Sequence, residues 1–313
     1  MHNDIIRCKE RDEKAYTSRG WKQSQLSLSL SFLFFPAIKM AAIFGTSRAG
    51  GAVSFLALLF ILLPTATLAQ TPPRIDPTFL ADFDEEFILP LDDADSPVDL
   101  QISPDGTTML VPEKDGLLWV VENFDPISGR LPTKTKALTI SKICTNVERG
   151  FGGTAFHPDF GTGGNRYIYL FYTYDKYNDC ATSGSSKKGP VNRLSRFVLG
   201  TNNVVNPSTE QVFFETPRLP YGGHNSGQIR FGVDGYLYVS VGDGGGGISQ
   251  ENDNGILYPQ ATDMLLGKIL RLTADNGIPP TNPFTNPRTS ARCNKTGWSG
   301  NANVNCQEIY SYG

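Results

Sequence analysis

The chain is short of histidine and carries almost no excess of charge of either sign. It contains three histidines, and 28 basic against 31 acidic residues leave a formal net charge of −3. Because nucleic acids and anionic membrane surfaces attract clustered positive charge, this balance argues against both as partners. Amphipathic helical patterns are also scarce, whereas glycine, proline and runs of β-branched or aromatic residues are frequent. These features predict a turn-rich, all-β fold.

The main apolar run, from Ala52 to Leu63, is short for a membrane span. Arg48 precedes it as a positive flank, and the small residues of Thr67-Leu-Ala69 follow it. This arrangement is typical of a secretory signal peptide that is cleaved before Gln70. We therefore expect the mature protein to be secreted.

This interpretation divides the sequence into an upstream extension (1–39), a signal peptide (40–69), a lead-in (70–96) and one globular domain (97–313). Met40 is the natural start of the signal peptide. If residues 1–39 are translated, the segment 52–69 can instead remain as a membrane anchor. The sequence leaves both locations open.

The cysteines lack the Cys-x-x-Cys spacing of zinc sites, and no histidine accompanies them. Cys8 lies upstream of the predicted cleavage, which leaves four cysteines in the mature protein. An even number in an exported chain predicts disulfides, and several pairings are possible. We favour the two pairs that each bracket a single stretch, Cys144–Cys180 and Cys293–Cys306. The second stretch contains an N-glycosylation sequon at Asn294.

A strand, a turn that carries an aspartate, and a second apolar strand follow one another at three places along the chain. The turn aspartates are Asp105, Asp159 and Asp234. Strand–turn–strand units that recur at spacings of tens of residues are typical of β-propellers. A β-sandwich also has short strands at regular spacing, so the pattern alone leaves both architectures open. The acidic run from Asp92 to Asp99 is interpreted as solvated lead-in.

A glycine-rich loop, Tyr221-Gly-Gly-His-Asn-Ser-Gly227, holds one of the three histidines, His224. Histidine is the side chain best suited to take a proton near neutral pH, and glycines let a flat ligand approach the backbone. A surface or structural histidine is the alternative for His224. We interpret His157 as structural, because a histidine before a proline in a turn is explained by turn chemistry.

Four stretches of the chain carry a resemblance to a known family: Glu148–Phe160, His224–Gly245, Leu265–Leu272 and Gln307–Gly313. They closely resemble the glucose/sorbosone dehydrogenase family of six-bladed β-propellers, which use pyrroloquinoline quinone (PQQ) and calcium. The last two stretches, with the cysteine-rich insert between them, look most like the eukaryotic hedgehog-interacting-protein-like branch. The resemblance implies an incomplete six-bladed propeller, with about three to four blades in this chain.

The resemblance also assigns roles to residues of the glycine-rich loop and its surroundings. It implies that His224 is the base that takes the proton from a sugar hydroxyl, after which hydride moves to the quinone. We take Glu148, Arg149, Gly223, Asn225, Gln228 and Asp243 as candidate cofactor contacts. For Asp243, in a glycine-rich loop, capping of that loop is the alternative. Gly223 stands where some bacterial members have an acidic residue, and Glu148 stands where they often have a glutamine.

Two functions from different classes remain. The resemblance implies a secreted PQQ-dependent sugar or alcohol dehydrogenase, and the alternative is a non-catalytic secreted propeller that binds a protein or a glycan. The resemblance places the calcium ligands and most PQQ contacts beyond Gly313, so no metal ligand is expected among these residues. The chain as written is therefore expected not to bind PQQ tightly.

Overall fold

The structure is a computed structural model that describes residues 4–10, 83–90, 96–124, 130–182, 189–219, 221–225, 227–245, 257–293 and 304–313. The predicted signal peptide and Asn294 lie outside these ranges. The chain divides into two units, one of residues 1–7 with 86–313 and the other of residues 8–85. Strands β1 (Asp4–Glu10) and β2 (Phe83–Pro90) pair in a two-stranded sheet. In the described residues, no helix is both long and apolar enough to cross a membrane.

Blade 1 is a four-stranded antiparallel sheet whose strands follow one another in chain order. Its strands are β3 (Gln101–Ile102), β4 (Thr108–Pro112), β5 (Leu117–Glu122) and β6 (Thr133–Thr139). The turn between β3 and β4 contains Asp105, whose carboxylate accepts a hydrogen bond from the backbone N–H of Thr107 at 3.1 Å. This bond closes the turn locally, as aspartate does in many tight turns.

Blade 2 repeats the same topology with longer strands. It consists of β7 (Phe151–Phe156), β8 (Tyr167–Tyr174), β9 (Val191–Val198) and β10 (Gln211–Glu215). The predicted turn with Asp159 joins β7 to β8. His157 lies in this turn, and its Nδ1 accepts the backbone N–H of Asp159 at 3.0 Å. Its half-buried ring packs beside Tyr169 and Phe231, in agreement with a structural role.

Blade 3 has one long insertion before its last strand. It is built from β11 (Ile229–Phe231), β12 (Leu237–Val241), β13 (Lys268–Leu272) and β16 (Ile309–Tyr312). The insertion carries the short parallel pair β14 (Ser290–Ala291) and β15 (Asn305–Cys306). Asp234 lies in the turn between β11 and β12, where its Oδ1 accepts the backbone N–H of Tyr236 at 3.2 Å.

Three successive four-stranded meanders are the blade arrangement of a β-propeller, because each sheet is formed by neighbouring segments of the chain. A sandwich of the kind considered above would join strands of two sheets by Greek-key connections instead. The predicted all-β, incomplete propeller is therefore confirmed.

The core explains why β8 is apolar along its whole length. Tyr169 and Phe171 belong to a hydrophobic cluster shared with blade 3, whereas Ile168 and Leu170 belong to one shared with blade 1.

Asp99, which precedes β3, connects the first strands of all three blades. Its carboxylate accepts the backbone N–H of Thr154 in β7 at 2.9 Å and pairs with the Nη2 of Arg230 in β11 at 2.9 Å. Gln228 donates to the same carboxylate at 3.2 Å. The Asp99 side chain is 3% exposed. The interpretation of this acidic run as solvated lead-in is therefore wrong for Asp99, because its side chain is buried and accepts hydrogen bonds from blades 2 and 3.

Candidate functional site

His224 lies in a short loop between blade 2 and β11, and its side chain is 63% exposed. Its Nδ1 is 2.9 Å from Oδ1 of Asp243. A carboxylate can only accept a hydrogen bond, so in the neutral imidazole Nδ1 carries the proton and Nε2 keeps the lone pair. Because the ring is mostly exposed, that lone pair is accessible to a ligand. The geometry is that of an oriented base.

Asp243 follows β12 and is itself held in place. Its Oδ1 also accepts the backbone N–H of Gly245 at 3.0 Å, and the N–H of Gly244 donates to the carbonyl of His224 at 3.0 Å. A Cβ on Gly242 would lie 1.9 Å from that carbonyl oxygen. Glycine at 242 is therefore required for the end of β12 to approach the histidine loop.

Glu148 contacts the same loop from the opposite direction. Its Oε2 accepts the backbone N–H of His224 at 2.5 Å, and its own N–H donates to the carbonyl of Gly222 at 3.2 Å. A Cβ on Gly223 would lie 3.7 Å from Oε2 of Glu148. The two departures from the family pattern are thus neighbours, because the carboxylate of Glu148 would be in van der Waals contact with a Cβ at position 223.

Arg149 lies beneath the loop with no exposed surface. Burial lowers the pKa of its guanidinium, and the nearby carboxylate of Asp179 opposes that shift. The guanidinium remains charged, since arginine does not deprotonate in proteins. Its two terminal nitrogens donate to four backbone carbonyls, those of Cys180, Ala181, Leu219 and Tyr221. A direct contact with a ligand above the loop would require these hydrogen bonds to break.

Asn225 is also fully buried. Its Nδ2 donates to the carbonyls of Tyr221 and Gly223 at 3.2 and 2.7 Å, and Asn192 donates to the carbonyl of Asn225. The Oδ1 atom of Asn225 is buried and has no hydrogen-bond partner among the residues that the structure describes. The side chain therefore folds the loop back on itself.

The structure separates the predicted site residues into two groups. Glu148, Gly223, His224 and Asp243 surround the exposed imidazole, whereas Arg149 and Asn225 support the loop from below. Gln228 is exposed and contacts Asp99 instead of the imidazole. Sequence reasoning assigned Asp243 to the cofactor and did not identify its pairing with His224. The position of Asp243 after an apolar strand, between glycines, was the available signal.

Three described basic groups near the loop are already engaged. Arg149 holds carbonyls, Arg230 pairs with Asp99, and Nζ of Lys114 donates to the carbonyl of Val147 at 2.6 Å. PQQ is a tricarboxylate, and buried or partly buried carboxylates need cationic or hydrogen-bonding partners. The described residues therefore fit a base, whereas the anionic part of that cofactor would need further cationic partners, and we derive no step through it.

Both predicted disulfides are present. Cys144 and Cys180 are joined with their Cα atoms 5.5 Å apart, and Cys293 and Cys306 with theirs 5.2 Å apart. Acidic groups lie beside each pair, at Asp175 and Glu308. The bonded sulfurs cannot act as thiolate ligands, so these clusters are not metal sites.

Comparisons with known proteins agree with this architecture. The family described as Glucose / Sorbosone dehydrogenase matches residues 94–312. The human Hedgehog-interacting protein is 29% identical over 206 residues, which cover 64% of this chain and 27% of that protein. Aldose sugar dehydrogenase YliI of Escherichia coli (strain K12) is 27% identical over 197 residues, covering 62% of this chain and 45% of that protein.

A solved structure described as glucose dehydrogenase superposes with a TM-score of 0.50 at 21% identity, covering 70% of this chain and 56% of that one. This likeness supports the fold. The chain spans half or less of the length of the curated relatives it matches, for example 26% of the HIPL1 protein of Arabidopsis thaliana, at 30% identity. Since the family match extends over more than half of the chain, the protein belongs to the glucose/sorbosone dehydrogenase family.

Proposed function

We propose that the protein is a secreted, PQQ-dependent dehydrogenase of sugars or alcohols in which His224 removes the hydroxyl proton of the substrate. The observation that carries this proposal is the pairing of an exposed imidazole with Asp243 at 2.9 Å. An exposed histidine without an orienting carboxylate would be an ordinary surface residue. The carboxylate fixes the tautomer that leaves Nε2 free to accept a proton.

Two carboxylates lie beside the proton that such a base would acquire. When Nε2 takes a proton, the imidazolium lies against Asp243, and the carboxylate of Glu148 is bound to the backbone of the same residue. Nearby negative charge stabilises a developing cation. In the family, the quinone supplies the acceptor for the substrate's hydride. The part of the chemistry that we assign to this chain is the removal and storage of the proton.

A second function is favoured by the charge of the site. Glu148 and Asp243 place two carboxylates beside the exposed imidazole, and the described basic residues around them are engaged elsewhere. Such a surface would suit a basic partner. One of the relatives is named for its interaction with a protein, Hedgehog. The alternative is therefore a non-catalytic secreted propeller that binds a protein or a glycan.

Turnover with matched variants decides between the two functions. The protein is isolated as its source cells make it, supplied with PQQ and calcium, and assayed for dye reduction with a panel of aldoses and alcohols. We expect His224→Ala to lose about 10²- to 10⁴-fold in kcat, the usual contribution of a general base. His157→Ala is the control, because His157 packs in a turn away from the loop. Turnover no higher than that of His224→Ala would refute the enzyme and favour the binder.

A further inference from the structure

Arg149 joins two segments of the chain that are distant in sequence. Nη1 donates to the carbonyls of Cys180 and Ala181, both at 2.9 Å. Nη2 donates to the carbonyls of Leu219 and Tyr221 at 3.1 and 2.7 Å. The side chain is completely buried, so these bonds are not exchanged with water. One planar guanidinium therefore fixes the spacing between the two segments.

The first segment is attached to blade 2 by a disulfide. Cys180 is bonded to Cys144, whose backbone N–H donates to the carbonyl of Thr173 in β8 at 3.0 Å. Asn146 adds a further link, because its Nδ2 donates to the carbonyl of Cys180 and its Oδ1 accepts from Arg149 at 3.2 Å. The carbonyls that receive Nη1 are thus held by a covalent bond to a strand-anchored residue.

The second segment leads directly into the histidine loop. The carbonyl of Tyr221, three residues before His224, accepts from Arg149 and also from Nδ2 of Asn225. Glu148, the neighbour of Arg149 in the chain, accepts the backbone N–H of His224. The start and the middle of the loop therefore depend on residues 148–149. The backbone of His224 is in the left-handed region, with φ of 55°. A non-glycine residue keeps this conformation only when its surroundings enforce it.

We propose that Arg149 is a positioning residue for His224, and that it acts only while the Cys144–Cys180 disulfide holds the carbonyls of Cys180 and Ala181 in place. A lysine cannot replace it, since a single ammonium group lacks the planar fork that reaches both segments at once. The role in catalysis rests on the proposed function of His224. The pairing of His224 with Asp243 is measurable without any substrate or cofactor.

The tautomer of His224 reports this pairing. The chain contains three histidines, so nitrogen-15 NMR of their side chains gives a simple spectrum, and His224→Ala assigns the signal. At about pH 8.5, two units above the ordinary histidine pKa, the rings are examined as neutral imidazoles. We expect the unaltered protein to show the Nδ1–H tautomer at His224. In Arg149→Lys we expect loss of that tautomer as the main form.

Arg271→Lys is the matched control, because Arg271 is also buried but bonds to Asn282 and Thr281 in blade 3. It should leave the His224 signal unchanged. If Arg149→Lys does not fold, Asn146→Ala is examined, since it removes one link to Cys180 and leaves Arg149 in place. We expect a smaller loss of the Nδ1–H tautomer in that variant.

Two double variants test whether the positioning of His224 depends on the Cys144–Cys180 disulfide. Cys144→Ser with Cys180→Ser should lose the Nδ1–H tautomer, whereas Cys293→Ser with Cys306→Ser should keep it. A wild-type signal in Arg149→Lys, or in Asn146→Ala where only that variant folds, would overturn the positioning role. A wild-type signal in the Cys144/Cys180 variant would overturn the dependence on the disulfide. Absence of turnover with the pairing intact would count against the proposed function and leave this inference standing.

Discussion

Carboxylates, more than cations, define the surroundings of His224. Asp243 contacts its ring and Glu148 contacts its backbone N–H, at 2.9 and 2.5 Å. Two positions differ from the expected pattern, because Gly223 lacks a side chain and Glu148 carries a carboxylate where a glutamine is frequent. A negative environment disfavours an anionic ligand beside the ring. Asp243 and Glu148 therefore support His224 as a base and disfavour the binding of an anionic ligand next to it.

Lys268 gives a prediction about stability and pH. Its Nζ donates to the carbonyls of Tyr258, Pro259 and Leu266, and the residue is 3% exposed. Burial lowers the pKa of its ammonium to about 7 from the usual 10.5, although Asp263 opposes the shift. Between these values the unfolded chain binds more protons than the folded protein. The free energy of unfolding should therefore rise with pH across this window.

Urea unfolding at about pH 7 and about pH 9 tests this expectation. Relative to Lys268→Met, the unaltered protein should gain up to about 2–3 kcal/mol over the interval, from 1.36 kcal/mol for each pKa unit. Lys142→Met, at an exposed lysine, is the control and should follow the unaltered protein. If the free energy of unfolding had the same pH dependence in the unaltered protein and in Lys268→Met, the prediction would be contradicted. The three carbonyls would then keep the Lys268 ammonium charged across this window.

At the scale of elements, the approach of β12 to the histidine loop depends on a missing side chain. Gly242→Ala would bring a Cβ to 1.9 Å from the carbonyl oxygen of His224, whereas Gly223→Ala meets nothing closer than 3.7 Å. We expect Gly242→Ala to destabilise the fold by about 1–3 kcal/mol, the usual cost of overpacking. Gly223→Ala should change stability by less than about 0.5 kcal/mol. Denaturant midpoints of the two variants measure the difference, and equal midpoints would contradict the close approach.

Local patterns predicted much of the fold and less of the site. The turn aspartates depend on neighbouring residues, and each cysteine pair brackets a single stretch of the chain, so both features could be found in the sequence. Asp99 and Arg149 act through backbone groups of distant segments, and nothing in their local sequence indicates those partners. The pairing of Asp243 with His224 likewise depends on how β12 ends against another loop.

At the scale of the whole molecule, the blades meet through apolar faces and through one buried carboxylate. Strand β8 contributes to both interblade clusters, and Asp99 joins the first strands of the three blades. The apolar contacts supply most of the stabilisation, since a fully buried large side chain contributes about 1.5–3 kcal/mol. The carboxylate instead determines how the first strands are aligned.

Asp99→Asn tests that alignment. The substitution removes the charge that pairs with Arg230 and leaves one acceptor oxygen for the donors Thr154, Gln228 and Arg230. Because Arg230 is partly exposed, we expect a loss of about 1–3 kcal/mol instead of the larger cost of a fully buried pair. Asp115→Asn, in the exposed turn before β5, should change stability by less than about 0.5 kcal/mol. Similar urea midpoints for the two variants would contradict a bridging role for Asp99.

The most direct test of the account is a double-mutant cycle on kcat with His224→Ala, Asp243→Asn and the combined variant. If Asp243 acts only by orienting the base, the combined variant should lose no more kcat than His224→Ala alone, because residues that act as one unit are not additive. Asp243→Asn alone should lose about 10²- to 10⁴-fold, by disturbing the tautomer. A combined loss equal to the product of the two single losses would contradict the account, since the two residues would then act independently.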